Sequence, residues 1–303
     1  MNNNETLKQR QAYPLELKVE MSKRRIEEWY KRYHGKVYVA FSGGKDSTVL
    51  LHLVRSVYPD VEAVFADTGL EYPEIRQFVK TIDNVTWVKP KMKFSEVIKK
   101  HGYPVISKEQ ARYLQDCQNP TGKNDTLIKK RLTGINGKGI KSHFGILSKK
   151  WRYLIDAPFK ISGACCDKIK KEPVLTYEKE MKKNVFLGVM AEDSRLRLSS
   201  YLKNGCNMIS KKQNQSRPMM FWNESDVWEY IRTNNIPYSK IYDMGESRTG
   251  CMFCMFGVHM EKSDMFNKNR FQRMKVSHPK LWNYCINKLN LKQVLNTIGV
   301  NYQ

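Results

Sequence analysis

The sequence predicts an α/β protein built on an open, mainly parallel sheet with helices on both faces. Three observations predict it. Short apolar runs alternate with stretches of helical spacing from residue 36 to residue 90. A glycine pair follows the first of those runs, as it does where a strand turns tightly into a helix. The alternation resumes at residue 184, after a long basic stretch. Strand, helix, strand, helix, strand is the order of a parallel sheet covered by helices.

Residues 14–34 carry Leu15, Leu17, Val19, Met21, Ile26, Trp29 and Tyr30 at helical spacing, which predicts an amphipathic helix with a basic face. KVYVAFS (36–42) reads as a buried strand, and STVLLHLVRSVY (47–58) has helical length and spacing. VEAVFADTG (61–69) is a second strand ending in a turn. PEIRQFVKTI opens on proline, a favoured first helical residue. NVTWVKP (84–90) is a third strand and NVFLGVMAE (184–192) a fourth, while SRPMMFW (216–222) reads as one more. NESDVWEYIRTNN has an Asn223 or Ser225 cap, acids in its first turn and an apolar stripe, so it is a helix. Two further helices are expected around 262–276 and 279–298. No internal repeat is present.

Between 119 and 160 lie ten basic residues and two acids, Asp125 and Asp156, with glycines at 134, 137 and 139. This stretch reads as a flexible basic insertion containing helical pieces, either a solvated loop or a nucleic-acid arm. The expected organisation is a helical segment over 1–35, a main domain over 36–260 carrying the insertion, and a helical region over 261–303.

Of the 303 residues 41% are apolar and 11% aromatic, enough for a sizeable core, which excludes global disorder. The formal charge of +23 points to a polyanionic partner, most often nucleic acid; solvated lysines of a lysine-rich proteome are the plainer account. Met1 is followed by NNNETLKQRQ, which has no apolar stretch of a secretory signal. No apolar run approaches the roughly 18 residues of a membrane helix. A soluble, cytoplasmic protein with no membrane partner is expected. Seven cysteines is an odd count, and in a reducing compartment such cysteines serve as metal ligands or free thiols rather than disulfides.

The motif with the most chemistry is FSGGKDST (41–48). A strand feeding a glycine turn and then a helix gathers backbone N–H groups and a helix N-terminus at one point, an arrangement that binds phosphate. The Walker pattern does not fit, because Asp46 stands at its hydroxyl position and Val39 at its first glycine. Gly43 and Gly44 permit the turn and close approach of phosphate oxygens. Ser42 and Ser47 supply hydroxyl donors, Lys45 a positive charge, and Asp46 orients the turn or a Mg²⁺ ion. Lys45 and Asp46 are expected to face solvent-filled phosphate space.

FSGGKDS resembles the S-G-G-x-D-S turn of the PP-loop ATP pyrophosphatases, which cleave a nucleotide between its α and β phosphates. ADTGLEYPE (66–74) resembles the second signature of the PAPS/APS (sulfonucleotide) reductase branch. That resemblance implies an adenine nucleotide alpha-hydrolase-like fold and places Asp67, Thr68 and Gly69 beside the adenosine. GVMAEDSRLR (188–197) is similar to the family segment G-x-R-x-x-x-S-x-x-R, which implies anion-binding roles for Ser194 and Arg197. The likeness covers roughly residues 36–260.

Cys165-Cys166 is followed, 85 residues after Cys166, by Cys251-x-x-Cys254. Four thiolates suit zinc or an iron–sulfur cluster, and the residues alone do not decide between them. Adjacent thiolates face one site only where the backbone bends, and Gly163 lies just upstream. The resemblance favours a [4Fe–4S] cluster, since iron–sulfur members of the family carry this spacing. It also places Lys170 between the cluster and the substrate anion. Cys117, Cys206 and Cys285 have no such pattern and read as ordinary thiols.

The chain departs from the reductase pattern twice. Met190 stands where an anion-binding arginine is expected, and the closing NLKQVLNTIGVNYQ lacks the Glu-Cys-Gly-Leu-His element that carries the reductase nucleophile. The PP-loop with a cysteine cluster and a basic surface is closer to DNA phosphorothioation enzymes and some tRNA-thiolating enzymes. The expected function is ATP binding, adenylation of an acceptor with pyrophosphate release, and iron–sulfur-dependent sulfur transfer to DNA or tRNA, with a donor such as a cysteine desulfurase. Lys45, Asp46, Lys170 and Arg197 are the expected catalytic residues. The alternatives are a PAPS or APS reductase using external thiols, and a nucleotide-sensing, nucleic-acid-binding protein without catalysis.

Overall fold

The computed structural model describes residues 3–210, 214–261 and 268–303. In chain order its first elements are α1 (Asn3–Gln11), α2 (Leu15–Arg32), β1 (Val37–Ala40), α3 (Lys45–Arg55), β2 (Ala63–Ala66), α4 (Pro73–Lys80) and β3 (Val85–Val88). Next come α5 (Phe94–His101), β4 (Val105–Ile106), α6 (Lys108–Gln118), α7 (Asp125–Thr133), a 3₁₀ segment Lys149–Asp156, a π-helical turn Asp167–Lys171 and α8 (Glu172–Met181). The remainder holds β5 (Asn184–Leu187), α9 (Arg195–Asn204), β6 (Asn207–Met208), β7 (Gln215–Ser216), α10 (Glu224–Thr233) and β8 (Met255–Phe256). It closes with α11 (Arg270–Ser277), α12 (Pro279–Asn283), a π turn Tyr284–Lys288 and α13 (Leu291–Thr297). The chain forms two compact units: Met1–Asp67, Tyr72–Lys89 and Pro173–Thr249 in the first, Thr68–Glu71, Pro90–Glu172 and Gly250–Gln303 in the second.

The first unit is the predicted α/β fold. Its six-stranded sheet runs β3-β2-β1-β5-β7-β6, parallel throughout except for β6. Side chains alternate across it as the pleat requires. Tyr38, Val64 and Val185 pack on one face with Tyr177 and Val174 of α8. The opposite parity, Val37, Val39, Phe65 and Phe186, is equally buried. Phe65 stacks edge-on against Trp87 there. Strand order reverses direction at β1: β2 and β3 lie to one side of it and β5 to the other. Open parallel sheets bind ligands at the carboxyl ends of the strands beside such a reversal. The residues following β1 are the glycine-rich turn.

In the second unit a short extended run, 103–106, ties two distant segments together. Tyr103 forms a parallel bridge with Ile161, four residues before Cys165. β4 pairs parallel with β8, Val105 with Met255 and Ile106 with Phe256, directly after Cys254. Gly102 makes the first contact possible: its φ is +108°, and a Cβ there would lie 2.5 Å from the Lys160 carbonyl.

Three expectations are corrected. The amphipathic helix over 14–34 exists as α2, but its buried stripe is Leu15, Lys18, Ser22, Ile26 and Trp29, while Leu17 is exposed. Lys18 turns inward because its ammonium reaches Asp226 at 2.7 Å, and Ser22 accepts from the Trp222 indole N–H at 2.9 Å. The strand expected over 216–222 is reduced to Gln215–Ser216; Pro218 has no N–H for a ladder, and Met219–Trp222 are buried in turns instead. The helical pieces allowed within the basic insertion are α7 and the 3₁₀ segment. Of the helix expected at 262–276, residues 262–267 lie outside the described residues and α11 occupies 270–277; the helix expected at 279–298 is broken into α12, the π turn and α13, with Asn290 at φ +55° before α13.

Removing one partner of the buried Lys18–Asp226 pair leaves the other charge without compensation, a change that typically costs about 3–5 kcal/mol. Lys18→Met is therefore expected to lower stability to urea by about 3 kcal/mol, and Lys18→Met with Asp226→Asn by less. A double variant no more stable than the single one would show that the pair is not the source of the loss.

Candidate nucleotide and cysteine sites

The turn between β1 and α3 is held by its own hydroxyls. The Ser42 N–H donates to Ser47 Oγ at 3.1 Å, the Gly44 N–H to Ser42 Oγ at 3.3 Å, and Ser47 Oγ donates to the Gly44 carbonyl at 2.9 Å. Gly43 sits at φ +72°, and Gly44 caps the N-terminus of α3. The Lys45 N–H, one of the first-turn amides without an intrahelical acceptor, donates to the Tyr242 hydroxyl at 2.8 Å.

Lys45 is buried, 5% exposed, rather than facing open solvent as the sequence suggested. Its Nζ lies 3.1 Å from Glu224 and 3.5 Å from Asp46, and 5.8 Å from the centre of the Tyr242 ring. Burial opposes its charge, but Asp46, Glu224 and Tyr242 outweigh burial and its pKa is raised. Asp46 moves up as well, first through burial and then through the charges of Asp193 and Glu224, with Lys45 opposing. Its Oδ1 is buried without a hydrogen-bond partner.

Gly188, the residue after β5, fits against this turn. A Cβ at 188 would lie 2.8 Å from the Asp46 carbonyl oxygen. Two residues on, Met190 is buried, and its N–H donates to Asp193 Oδ2 at 2.8 Å. Ser194 caps α9 by accepting from the Arg197 N–H at 3.3 Å. The Arg197 guanidinium pairs with Asp193. Asp67, at the end of β2, is buried and paired with Arg76 at 3.0 Å.

In the second unit Thr68 is fixed by Glu71, which accepts from its N–H at 3.0 Å and its hydroxyl at 2.7 Å; Gly69 adopts φ +74° with open space around it. The paired run 103–106 brings Cys165-Cys166 and Cys251-x-x-Cys254 into one electrostatic neighbourhood. Burial pushes the Cys165 thiol up, and Cys166, Cys251 and Cys254 add to the effect. Burial also raises Cys251, to about 11, against the pull of Lys170, and raises Cys254. Lys170 is half-buried; loss of solvent opposes its charge, but Cys251, to which it hydrogen-bonds, and Glu71 hold it protonated and raise its pKa. Among the described residues, no three His, Cys, Asp or Glu side chains converge as they would around a single metal ion. Cys206 and Cys285 are buried thiols, raised by burial to about 11 and about 12.

Sequence reasoning passed over Glu224, Asp193 and Tyr242 at the turn and Glu71 beside Lys170. Asp193 was within the family-like segment 188–197; Glu224 read only as a helix-start acid, and nothing in the sequence marked Tyr242.

The fold and the turn define a class: an open, mostly parallel α/β protein with a PP-loop at its strand-order reversal. The model of the phosphoadenosine phosphosulfate reductase domain matches residues 36–129 and 107–256, and the chain belongs to that family. An uncharacterized protein of Methanocaldococcus jannaschii is 28% identical over 85% of this chain, and the chain spans 42% of its length. The adenosine 5'-phosphosulfate reductase of Geobacillus kaustophilus is 26% identical, covering 74% of this chain and 75% of its own. The phosphate complex of the phosphoadenylyl-sulfate reductase from Candida auris superposes with a TM-score of 0.44 at 18% identity, over 76% of this chain and 87% of that one.

Gly43 and Gly69 separate two costs of a side chain. Both have positive φ, where a Cβ costs about 1–2 kcal/mol. Only at Gly43 would that Cβ also meet neighbours, Val79 at 2.8 Å and Ile75 at 2.9 Å. Gly43→Ala is expected to destabilise by about 1–3 kcal/mol more than Gly69→Ala, the usual range for overpacking. Equal urea midpoints for the two variants would contradict the tight packing under the turn.

Proposed function

We propose that this protein is a PP-loop enzyme that binds ATP with Mg²⁺, transfers its adenylyl group to a nucleic-acid acceptor and supports sulfur transfer to that acceptor. The observation that carries the nucleotide half is the coincidence of the S-G-G-K-D-S turn with the strand-order reversal, closed from the β5 side by Gly188. In the adenylation step an acceptor oxygen bonds to the α-phosphorus as the bond to the α–β bridging oxygen breaks, and pyrophosphate leaves with the electron pair. The Lys45 ammonium and the first-turn amides of α3 would neutralise that leaving charge. Asp46, whose buried Oδ1 meets only the Lys45 ammonium at 3.5 Å, is the residue proposed to face Mg²⁺. Ser194 and Arg197 would contact the nucleotide after Arg197 leaves Asp193, and Asp67, Thr68 and Gly69 would line the adenosine.

For the sulfur half, Cys165, Cys166, Cys251 and Cys254 are proposed to hold a [4Fe–4S] cluster, which when bound supplies the sulfur-carrying chemistry. A cluster takes each thiolate on a different iron and does not need the sulfurs to converge on one ion. Lys170 keeps a positive charge beside Cys251, which stabilises the thiolate form that a metal requires. The outer sulfur of a donor persulfide, such as that of a cysteine desulfurase, then bonds to the acceptor as AMP leaves with the adenylated oxygen, and an external thiol cleaves the resulting S–S bond, leaving the sulfur on the acceptor and the donor thiol in a mixed disulfide. The charge of +23 supports DNA or tRNA as acceptor. A second reading, a sulfonucleotide reductase drawing on external thiols, is favoured by the Geobacillus kaustophilus relative.

Incubation with ATP or with APS or PAPS separates the two readings: pyrophosphate release is expected from ATP, whereas sulfite release from a sulfonucleotide would establish the reductase. Lys45→Ala is expected to lower pyrophosphate release about 100-fold or more, the usual loss of a charge-stabilising contact. Anaerobically purified protein is expected to contain about four irons per chain. Serine at any of the four cysteines should abolish them and Cys117→Ser should not. One zinc and no iron would reject the cluster.

A further inference from the structure

The basic insertion carries an aromatic side chain that stands out into solvent. Phe144 is 84% exposed, and Ile140, four residues earlier, is 60% exposed. The loop carrying them is braced. Asn136 closes its tip, accepting on Oδ1 from the N–H groups of Lys138 at 2.9 Å and Ile140 at 3.0 Å. Ile135 and Lys141 form an antiparallel bridge, and the Ser142 N–H donates to the Gly134 carbonyl at 2.8 Å. The Phe144 N–H donates to Ser142 Oγ at 3.1 Å. The next residue, Gly145, turns at φ +80°, and its carbonyl accepts from Arg131 Nη1 at 3.0 Å. Arg131 in turn pairs with Asp116 at 2.9 Å and lies 3.8 Å over the Tyr113 ring. The phenyl ring is thus held outward by a loop anchored to α6.

The charge around it has one sign. From residue 126 to residue 155 there is no acidic residue. Lys138 and Lys141 precede the ring on the same loop, are exposed, and have no ion pair among the described residues. An exposed aromatic on a braced loop that also carries two unpaired lysines combines the two contacts by which single-stranded nucleic acid is held: a stacking face for a base and cations for its phosphates. An unpaired base stacks on such a ring without the unstacking cost that an intact duplex imposes.

We propose that the loop 134–147 is a single-strand binding element in which Phe144 stacks on an unpaired base and Lys138 and Lys141 contact the adjoining phosphates. This rests on the reading of nucleic acid as the acceptor and specifies its form: an unpaired stretch, as in a loop or an opened duplex, delivered to the second unit.

The test uses the full chain with a single-stranded oligonucleotide, a duplex of the same sequence and vesicles of anionic phospholipid, over a range of salt. Phe144→Ala is expected to weaken single-strand binding about 5- to 150-fold, the range for loss of one stacked base. The salt slope should be unchanged, because no charge is removed. Phe144→Trp should retain affinity. Lys138→Gln with Lys141→Gln should instead reduce the slope by about 1.4, at roughly 0.7 per phosphate contact. Phe144 is exposed, so the variants should melt with the wild type. Wild-type binding of single strands that Phe144→Ala leaves within twofold would overturn this element while leaving nucleic acid as the acceptor. Equal losses on duplex and single strand, or Phe144-dependent binding to vesicles alone, would also overturn it. A wild type that binds no oligonucleotide at moderate salt would overturn both this element and the acceptor reading.

Discussion

The nucleotide end of the first unit depends on one approach of backbone to backbone. β5 lies beside β1 in register, Val39 opposite Phe186 and Ala40 opposite Leu187, and the chain then passes the turn at Gly188. A side chain at 188 would meet the Asp46 carbonyl at 2.8 Å and the Ser47 Cα at 3.1 Å. Residue 188 must therefore be glycine for the sheet to close at its reversal and for α3 to start where it does. The same closeness puts the 190–197 segment near enough for the Asp193 charge to act on Asp46. Strand order, turn and local electrostatics meet at that contact.

Its electrostatic consequence is that the turn is not a bare positive site. Lys45 is shared between Asp46 and Glu224, and its amide is shared with Tyr242. Lys45 is free to act on a polyphosphate only as it is released from Asp46 and Glu224. Much of the attraction has to come from the α3 N-terminus, whose partial positive charge is fixed by the backbone. The raised pKa of Asp46 points the same way: several carboxylates crowd a partly buried space, and a cation entering it relieves them all. On the proposed reading, phosphate with Mg²⁺ would balance both signs of charge where phosphate alone would not.

The second unit solves a different problem, that of bringing two cysteine pairs together across 85 residues of sequence. Its device is the short run 103–106, bridged to Ile161 before one pair and to β8 after the other. Two short parallel pairings suffice because Gly102 lets the backbone come against Lys160 without a Cβ in the way. Once assembled, Cys165 is buried and Cys251 and Cys254 are half-buried, and loss of solvent with the neighbouring thiols raises all three, so these hold their protons unless positive charge is supplied. Lys170 supplies one such charge, kept ionised in a half-buried position by Cys251 and Glu71.

Local signals made much of this legible. The glycine turn, the first three strands and helices α2, α3, α4 and α10 follow from spacing, proline and caps, all of which act within a few residues. What stayed hidden was set by partners far away in sequence. Lys18 was assigned to a solvent face because its partner Asp226 lies 208 residues on. Lys45 was expected in open solvent because Glu224 and Tyr242 are equally remote. The triplet Lys129-Lys130-Arg131 shows the limit most sharply. In sequence these are three equivalent cations of one arm. In the fold Lys129 is exposed, while Arg131 turns inward to Asp116, the Tyr113 ring and the Gly145 carbonyl. A guanidinium suits that position because it can stack, form an ion pair and donate to a carbonyl at once, which an ammonium does less well. Within a single basic run, then, the arginine builds the support and the lysines are left for solvent or a polyanion, a division that charge counting alone does not reveal.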